Sequence, residues 1–162
     1  MTILDDILRA NAAYAEHFNK GVLPAPPRLK LAIVTCMDAR IETGRAFGLE
    51  EGDAHVIRNA GGRVSEALRS LIISQALLGT EAVAVVHHTG CGMLTFTDDS
   101  LRKQLRDSGG DADHIAFLSF SDLEQSVRDD LSVYAASPLV RHDVPVRGFV
   151  FDVKTGALAE VV

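Results

Sequence analysis

Hydrophobic residues follow two different spacings along the chain, and the change between them predicts where helices and strands lie. Near the N-terminus, apolar residues recur at helical spacing over residues 2–19, which predicts an amphipathic helix. Residues 20–28 contain Gly21 and three prolines. A helix cannot continue there, because each proline fixes its own φ and restricts the preceding residue. We therefore expect an N-terminal helix followed by an extended, proline-rich arm.

Short apolar and β-branched runs predict strands in the rest of the chain. The runs cover residues 31–35, 54–58, 81–88 and 146–153, with a short final strand at 157–161 after a Thr155-Gly156 turn. Helical spacing falls between them, at residues 41–47, 65–78 and 98–108, and from the capping-box signature Ser121-Asp-Leu-Glu124 to residue 136. Gly79 is the expected C-terminal stop of the 65–78 helix.

The alternation of strands and helices predicts an α/β fold. We expect a mostly parallel central sheet flanked by helices, with an antiparallel C-terminal edge strand and an N-terminal helical arm. A length of 162 residues suits a single domain over residues 1–162 with a genuine core. The chain has no internal repeat or low-complexity tract.

The net charge and the hydropathy of the chain limit its possible binding partners and its cellular location. The formal net charge is −6, and the basic residues are scattered, which argues against nucleic acid or an anionic membrane as a partner. The longest apolar run, residues 82–86, is far shorter than the ~20 residues that span a bilayer. The first residues lack the basic and long apolar regions of a signal peptide. We therefore expect a cytoplasmic protein.

The chain has two cysteines, Cys36 and Cys91. In a reducing compartment, two thiols indicate a metal site, catalysis or burial more often than a structural disulfide. Composition alone does not choose among these three interpretations. Their positions in the predicted fold add the missing information.

Two motifs follow two of the predicted strands directly. Cys36-Met-Asp-Ala-Arg40 comes after the strand at 31–35, and His88-Thr-Gly-Cys91-Gly92 ends and follows the strand at 81–88. The carboxyl ends of parallel strands meet at one edge of an open sheet, where ligands collect. We therefore expect the two motifs to lie close together although they are distant in sequence.

Two thiolates and one imidazole form a Cys₂His set, which zinc accepts with a fourth position open for water. Asp38 could be a fourth ligand or a hydrogen-bond acceptor for that water. The guanidinium of Arg40 suits a bidentate pair with Asp38, which would keep this carboxylate ionised and turned away from the metal. Zinc can lower the pKa of bound water toward ~7. Two thiolates make this lowering less effective than three histidines would, so we expect activity to improve at alkaline pH.

These motifs resemble those of the β-class carbonic anhydrases, especially the compact microbial members. The resemblance is carried by the two motifs above and by Val56-Ile-Arg-Asn-Ala-Gly61, and it extends through Leu94-Thr-Phe-Thr-Asp98 and Arg147-Gly-Phe-Val-Phe-Asp152. It implies reversible hydration of carbon dioxide to bicarbonate and a proton by a zinc-bound hydroxide.

The resemblance also implies roles for individual residues and an assembly. Zn²⁺ would be held by Cys36, His88 and Cys91, and the catalytic pair would be Asp38 and Arg40. In a closed resting state, Asp38 would itself be the fourth ligand, and the motif does not distinguish the two states. The minimal active unit would be a homodimer in which residues 1–28, the N-terminal helix and proline-rich arm, pack on the partner, and a higher homo-oligomer is the alternative, since some relatives assemble further.

Other functions remain open at this point. Relatives with the same metal motifs hydrolyse carbonyl sulfide or carbon disulfide, which are linear and apolar like carbon dioxide. A non-catalytic zinc-binding or bicarbonate-sensing module would require Asp38 to occupy the fourth zinc position permanently. The chain has no tryptophan, which argues against the regulatory bicarbonate pocket of some closed relatives. His87 adjoins a ligand, but strand alternation turns it toward the opposite face, and no proton shuttle is identified.

Overall fold

The computed structural model describes residues 2–162, in which strands and helices alternate. Met1, part of the predicted domain 1–162, lies outside the described residues. The strands are β1 (Leu31–Cys36), β2 (Ala54–Asn59), β3 (Ala82–His88), β4 (Val146–Phe151) and β5 (Leu158–Val161). The helices are α1 (Ile3–Glu16), α2 (Thr43–Phe47), α3 (Val64–Leu78), α4 (Asp98–Asp107) and α5 (Leu123–Ala136). Short 3₁₀ turns occupy Ala60–Gly62 and Gly92–Leu94.

The five strands form one sheet in the order β2-β1-β3-β4-β5. Strand β1 pairs in parallel with β2 and β3, β4 pairs in parallel with β3, and β5 runs antiparallel to β4. This arrangement confirms the predicted fold class. The register aligns Thr35 of β1 with Val86 of β3, so these two strands end side by side.

The sheet carries a separate hydrophobic core on each face. On the first face, α3, which contributes the buried Leu71, and α5 pack on buried residues of the central strands, among them Val34 and Val85. The second face has a smaller core that includes Ile33, Ile41 and Met93 together with both cysteines. The metal-binding candidates therefore belong to the second core, which surrounds their thiols with apolar side chains.

The end of α3 and the start of α5 test two helix boundaries that the sequence predicted. Helix α3 ends as predicted at Gly79, whose φ of 73° is the left-handed conformation that glycine adopts without strain. Helix α5 does not begin with the predicted Ser121–Glu124 capping box. Its N-cap is Asp122, whose side chain accepts a hydrogen bond from the N–H of Gln125 at 2.9 Å. Aspartate caps a helix about as well as serine, so that prediction was wrong by one residue.

Helix α1 differs from the other described helices because every one of its residues is exposed. The side chains of Ile3, Leu4, Ile7 and Leu8 are 58 to 73% exposed. The helix is tied to the β1–β2 side of the molecule at Glu51, whose carboxylate accepts the Tyr14 hydroxyl at 3.1 Å. Within residues 2–162, no helix has the length and apolar character needed to cross a membrane.

Candidate metal centre

The ends of β1 and β3 bring the three predicted metal ligands together. Cys36 is the last residue of β1, His88 is the last residue of β3, and Cys91 follows three residues later. All three are buried, and their ligand atoms lie within 4.8 Å of one another. A tetrahedral centre with ~2.3 Å metal–sulfur bonds needs its sulfurs about 3.8 Å apart. The three side chains can therefore surround one ion after small shifts.

The surroundings of His88 determine which of its ring nitrogens can bind a metal. Nδ1 lies 3.0 Å from the carbonyl oxygen of Thr89. A carbonyl only accepts hydrogen bonds, so the neutral imidazole carries its proton on Nδ1. Nε2 then holds a lone pair, and among the described residues it has no hydrogen-bond partner although it is buried. A buried acceptor of this kind needs a partner, and a metal ion between the two thiols would be one.

The pKa shifts of the two thiols also suit the binding of a cation. The neighbouring Cys91 thiol lowers the pKa of Cys36, although burial opposes the shift. The same proximity, together with burial, raises the pKa of Cys91. A dication that ligates both sulfurs would favour the thiolate form of each, so the donor set fits zinc.

A glycine turn supplies further support to Cys36. The backbone N–H groups of Asp38 and Gly61 lower the pKa of the Cys36 thiol. Gly62 has a φ of 72°, and a Cβ there would lie 2.9 Å from the carbonyl carbon of Thr35. The turn can approach the end of β1 this closely only without a side chain. The segment that the sequence indicated as a tight turn thus brings a backbone amide close to the Cys36 thiol.

Asp38 and Arg40 form a bidentate ion pair beside the three ligands. Arg40 donates from Nε to Oδ1 at 2.9 Å and from Nη2 to Oδ2 at 2.7 Å, and its backbone N–H also bonds Oδ1 at 2.9 Å. These hydrogen bonds hold the pKa of Asp38 well below its usual range, although burial alone would raise it. Arg40 also contacts the His88 motif, because Nη2 donates to the carbonyl of Gly90 at 3.0 Å.

This pairing turns Asp38 toward Arg40 in the structure. One carboxylate oxygen, Oδ2, nevertheless lies 3.7 Å from Nε2 of His88. Asp38 therefore stands close to the lone pair that would face the metal while both of its oxygens bond the guanidinium. The arrangement corresponds to the open alternative, in which the carboxylate is an acceptor beside the ligand set.

Arg58 is a site residue that the sequence reasoning missed. Its Nε donates to the carbonyl of Cys36 at 3.0 Å, and its Nη2 donates to the carbonyl of Asp38 at 2.6 Å. Arg58 therefore fixes the backbone of Cys36 and Asp38, which carry one thiol and the carboxylate of the site. The available signal was its position in the Val56-Ile-Arg-Asn-Ala-Gly61 motif, but the motif gave no indication of which atoms the guanidinium contacts.

His87 lies on the opposite face of the sheet from His88, as strand alternation predicted. Its Nδ1 bonds the hydroxyl of Ser126 at 2.7 Å, and its Nε2 bonds the carboxylate of Asp130 at 3.0 Å. Its ring also stacks on Phe120. These partners belong to α5 and the segment before it, so His87 joins this helix to the sheet and takes no part in the ligand set.

A surface cleft lies apart from this centre. It has a volume of about 710 Å³ and is lined by Arg63, Phe120 and polar residues at the starts of α4 and α5. None of the five predicted site residues lines it. We place the chemistry at the two strand ends because the ligand types converge there.

The fold and the ligand set define the class of the protein. The carbonic anhydrase family profile matches residues 31–118, which is more than half of the chain. With the relatives described next, this match shows that the chain belongs to the β-carbonic anhydrase family.

Individual relatives resemble the chain over nearly its whole length. Beta-carbonic anhydrase 1 of Mycobacterium tuberculosis is 49% identical over 162 residues, which cover 99% of each chain. The crystal structure of carbonic anhydrase from Streptococcus mutans superposes with a TM-score of 0.94 at 45% identity, covering 100% of this chain and 99% of that one. A carbon disulfide hydrolase of Saccharolobus solfataricus is 30% identical over 180 residues, covering 96% of this chain and 87% of the hydrolase.

Proposed function

We propose that this chain catalyses the reversible hydration of carbon dioxide to bicarbonate and a proton, with Zn²⁺ held by Cys36, His88 and Cys91. The observation that carries the proposal is the buried Cys₂His set with the Asp38–Arg40 ion pair beside it. Membership of the β-carbonic anhydrase family supports the same reaction. Zinc, when bound at three protein ligands, supplies a Lewis acid that lowers the pKa of a water molecule toward ~7.

The role proposed for Asp38 is to orient the attacking water. Because its pKa is held low by Arg40, the carboxylate is ionised at neutral pH and can only accept hydrogen bonds. Oδ2 would accept a hydrogen bond from the O–H of that water and so orient it for attack on the substrate. Positioning of this kind removes much of the entropic part of a barrier.

Arg40 acts through Asp38 and is a positioning residue in this proposal. Its guanidinium group donates hydrogen bonds to both carboxylate oxygens of Asp38. It also donates to the carbonyl of Gly90, which connects the ion pair to the loop between His88 and Cys91. A lysine could supply the charge but not the two parallel hydrogen bonds. The geometry therefore supports the open, catalytic state over a permanently closed sensing module, in which Asp38 would have to leave Arg40.

The apolar surroundings of the ligands suit an uncharged substrate. Cys36 and Cys91 share a core with Ile33, Ile41 and Met93. Carbon dioxide is small, linear and apolar, so such walls can accept it without an unpaired polar group.

Stopped-flow measurement of carbon dioxide hydration by the zinc-replete protein, from pH 7 to pH 9, tests the proposal. We expect activity that rises with pH. Asp38 is ionised over this whole range, so it is not the group whose titration causes the rise. Absence of hydration in protein that demonstrably contains zinc would reject the proposed reaction.

Carbon disulfide hydrolysis is the second candidate, and the likeness to a carbon disulfide hydrolase supports it. The same ligand set would serve both substrates. The higher identity to a carbonic anhydrase, 49% against 30%, favours carbon dioxide. A direct competition experiment distinguishes them, and a clear preference for carbon disulfide or carbonyl sulfide over carbon dioxide would reverse the assignment.

The proposed working unit is a homodimer of single domains spanning residues 1–162, in which residues 1–28 pack on the partner. The exposed apolar face of α1 supports this assembly, because an amphipathic helix of a stable protein normally covers such a face. Light scattering coupled to gel filtration should give a dimer. Ile7→Glu combined with Leu8→Glu should yield monomers, whereas Asn11→Glu, a control on the same helix, should not.

The state of the two cysteines supports a cytoplasmic location. Both are free thiols, and the proposed zinc site requires both in reduced form. A reducing compartment maintains them in that form.

A further inference from the structure

Thr89, between His88 and the Gly90 turn, is held in place by three hydrogen bonds. Its N–H donates to the carbonyl of Phe151 at 2.9 Å. Its hydroxyl accepts the N–H of Val153 at 3.1 Å and donates to Oδ1 of Asp152 at 3.3 Å. These contacts all come from the end of β4 and the turn after it. They fix the position of the Thr89 carbonyl, which accepts the Nδ1 proton of His88.

Asp152 is itself fixed by the turn that joins β4 to β5. Its N–H donates to the carbonyl of Ala157 at 2.8 Å, and its carbonyl accepts the N–H of Gly156 at 2.7 Å. The same carboxylate oxygen that meets Thr89 accepts the N–H of Lys154 at 2.8 Å. The C-terminal hairpin is therefore connected, through one carboxylate and one hydroxyl, to the residue that orients the imidazole.

We propose that Thr89 and Asp152 are positioning residues for the metal centre: they hold the Thr89 carbonyl where it keeps His88 in the Nδ1-protonated form with Nε2 toward the two thiols. The inference rests on the proposed zinc site. Loss of the pair leaves the three ligands intact but lets the imidazole rotate, so bound zinc escapes faster. Groups that orient a ligating histidine typically contribute ~10–100-fold to metal affinity.

The test compares zinc release from matched variants. Each protein is loaded with zinc and mixed with an excess of a chromogenic chelator, and the rate of zinc transfer is recorded. Thr89→Val keeps the size and β-branching but removes the hydroxyl, whereas Thr89→Ser retains it. The control is Thr80→Val, which removes a buried hydroxyl bonded to Ser74 at the other end of β3.

We expect Thr89→Val to release zinc roughly tenfold faster or more than the wild type. Thr89→Ser should largely restore the wild-type rate. Thr80→Val should lower the melting temperature of the metal-free protein without changing zinc release. Equal acceleration in Thr80→Val and Thr89→Val would reduce the effect to general destabilisation and overturn the inference.

A double-mutant cycle with Asp152→Ala tests whether the two residues act together. If Asp152 works through Thr89, the double variant should release zinc no faster than Thr89→Val alone. Independent, multiplying effects, or wild-type rates in both single variants, would contradict the proposal. A wild-type protein that binds no zinc would instead reject the proposed function, so the two failures are distinguishable.

Discussion

His87 and His88, two adjacent residues at the end of β3, are both fully buried but face opposite sides of the sheet. On the face of the sheet that packs against α5, called here the helix side, both ring nitrogens of His87 have side-chain partners, Ser126 and Asp130. On the face that carries Cys36 and Cys91, called the metal side, only Nδ1 of His88 is bonded, and Nε2 has no partner within residues 2–162. Burial alone therefore does not separate a structural histidine from a metal ligand; the hydrogen bonds of the two ring nitrogens do.

The two faces of the sheet also differ in the groups that they offer to a metal or a substrate. On the helix side, α5 supplies both of the groups that bond His87, although Oδ1 of Asp130 has no hydrogen-bond partner among the described residues. The metal side combines one unpaired nitrogen, two neighbouring thiols and an ionised carboxylate. Such perturbed and incompletely paired groups mark functional sites, and each prediction below alters one side while the other serves as its reference.

The largest expected effect is the loss of zinc from the metal side. His88→Gln removes a ligand. It should therefore weaken zinc binding by more than the ~100-fold that is lost when only a group orienting a ligand is removed. His87→Gln, the same substitution one residue earlier, should bind zinc stoichiometrically. Metal content after dialysis measures both. Full zinc occupancy in His88→Gln, or in Cys36→Ser, would remove that residue from the ligand set.

Arg40→Ala should lower kcat/KM for carbon dioxide by roughly 100-fold, because Asp38 loses the group that fixes its position. The pKa of Asp38 should rise toward its ordinary value near 4, which leaves it ionised at pH 7, so raising the pH should not restore activity. Arg40→Lys keeps the charge and should recover part of the loss. Stopped-flow profiles of the three proteins check this, and unchanged activity in Arg40→Ala would exclude Arg40 from the mechanism.

On the helix side, His87→Gln should lower the free energy of unfolding by about 1–3 kcal/mol, since Ser126 and Asp130 lose well-placed partners. Its zinc-loaded activity should stay close to that of the wild type. Urea titrations monitored by circular dichroism measure the stability change. Retained stability together with lost zinc would show that the assignment of the two faces is reversed.

The smallest effect is expected at Asp98, whose hydrogen-bond partners include neither histidine and which serves as a reference for pH. Burial alone would raise its pKa, but hydrogen bonds from the Ser119 hydroxyl and the N–H groups of residues 117–119 lower it to about 2. This carboxylate therefore stabilises the fold above pH ~4, and the contribution disappears as the pH falls toward 2.

Asp98→Asn should cost about 1–2 kcal/mol of stability at pH 7 and progressively less between pH 4 and pH 2. Urea titrations at several pH values measure this difference. Zinc content and hydration activity should not change. A stability difference that grows on acidification would contradict the sign of the pKa shift.

The sequence predicted the elements and their order because strand and helix periodicities are local properties. It also predicted that the motifs at Cys36 and His88 meet, since parallel strands end at a common edge. It did not predict the N-cap Asp122, because neighbouring serine and aspartate are nearly equivalent caps. The clamp by Arg58 and the support of Thr89 by Asp152 depend on strand order and turn geometry, which a linear motif does not contain.

The direction of Asp38 required the structure for a different reason. The same Cys-x-Asp-x-Arg spacing is compatible with a carboxylate that ligates zinc and with one that pairs with Arg40. Only the three hydrogen bonds between the two residues distinguish these arrangements.

The most direct test of this account is zinc-edge X-ray absorption of the zinc-loaded protein at neutral pH. The account predicts two sulfur neighbours at ~2.3 Å and one imidazole nitrogen at ~2.0–2.1 Å, with the imidazole signal lost in His88→Gln and retained in His87→Gln. A shell of oxygen and nitrogen without sulfur, or an unchanged imidazole signal in His88→Gln, would contradict the assignment of the metal centre to the ends of β1 and β3.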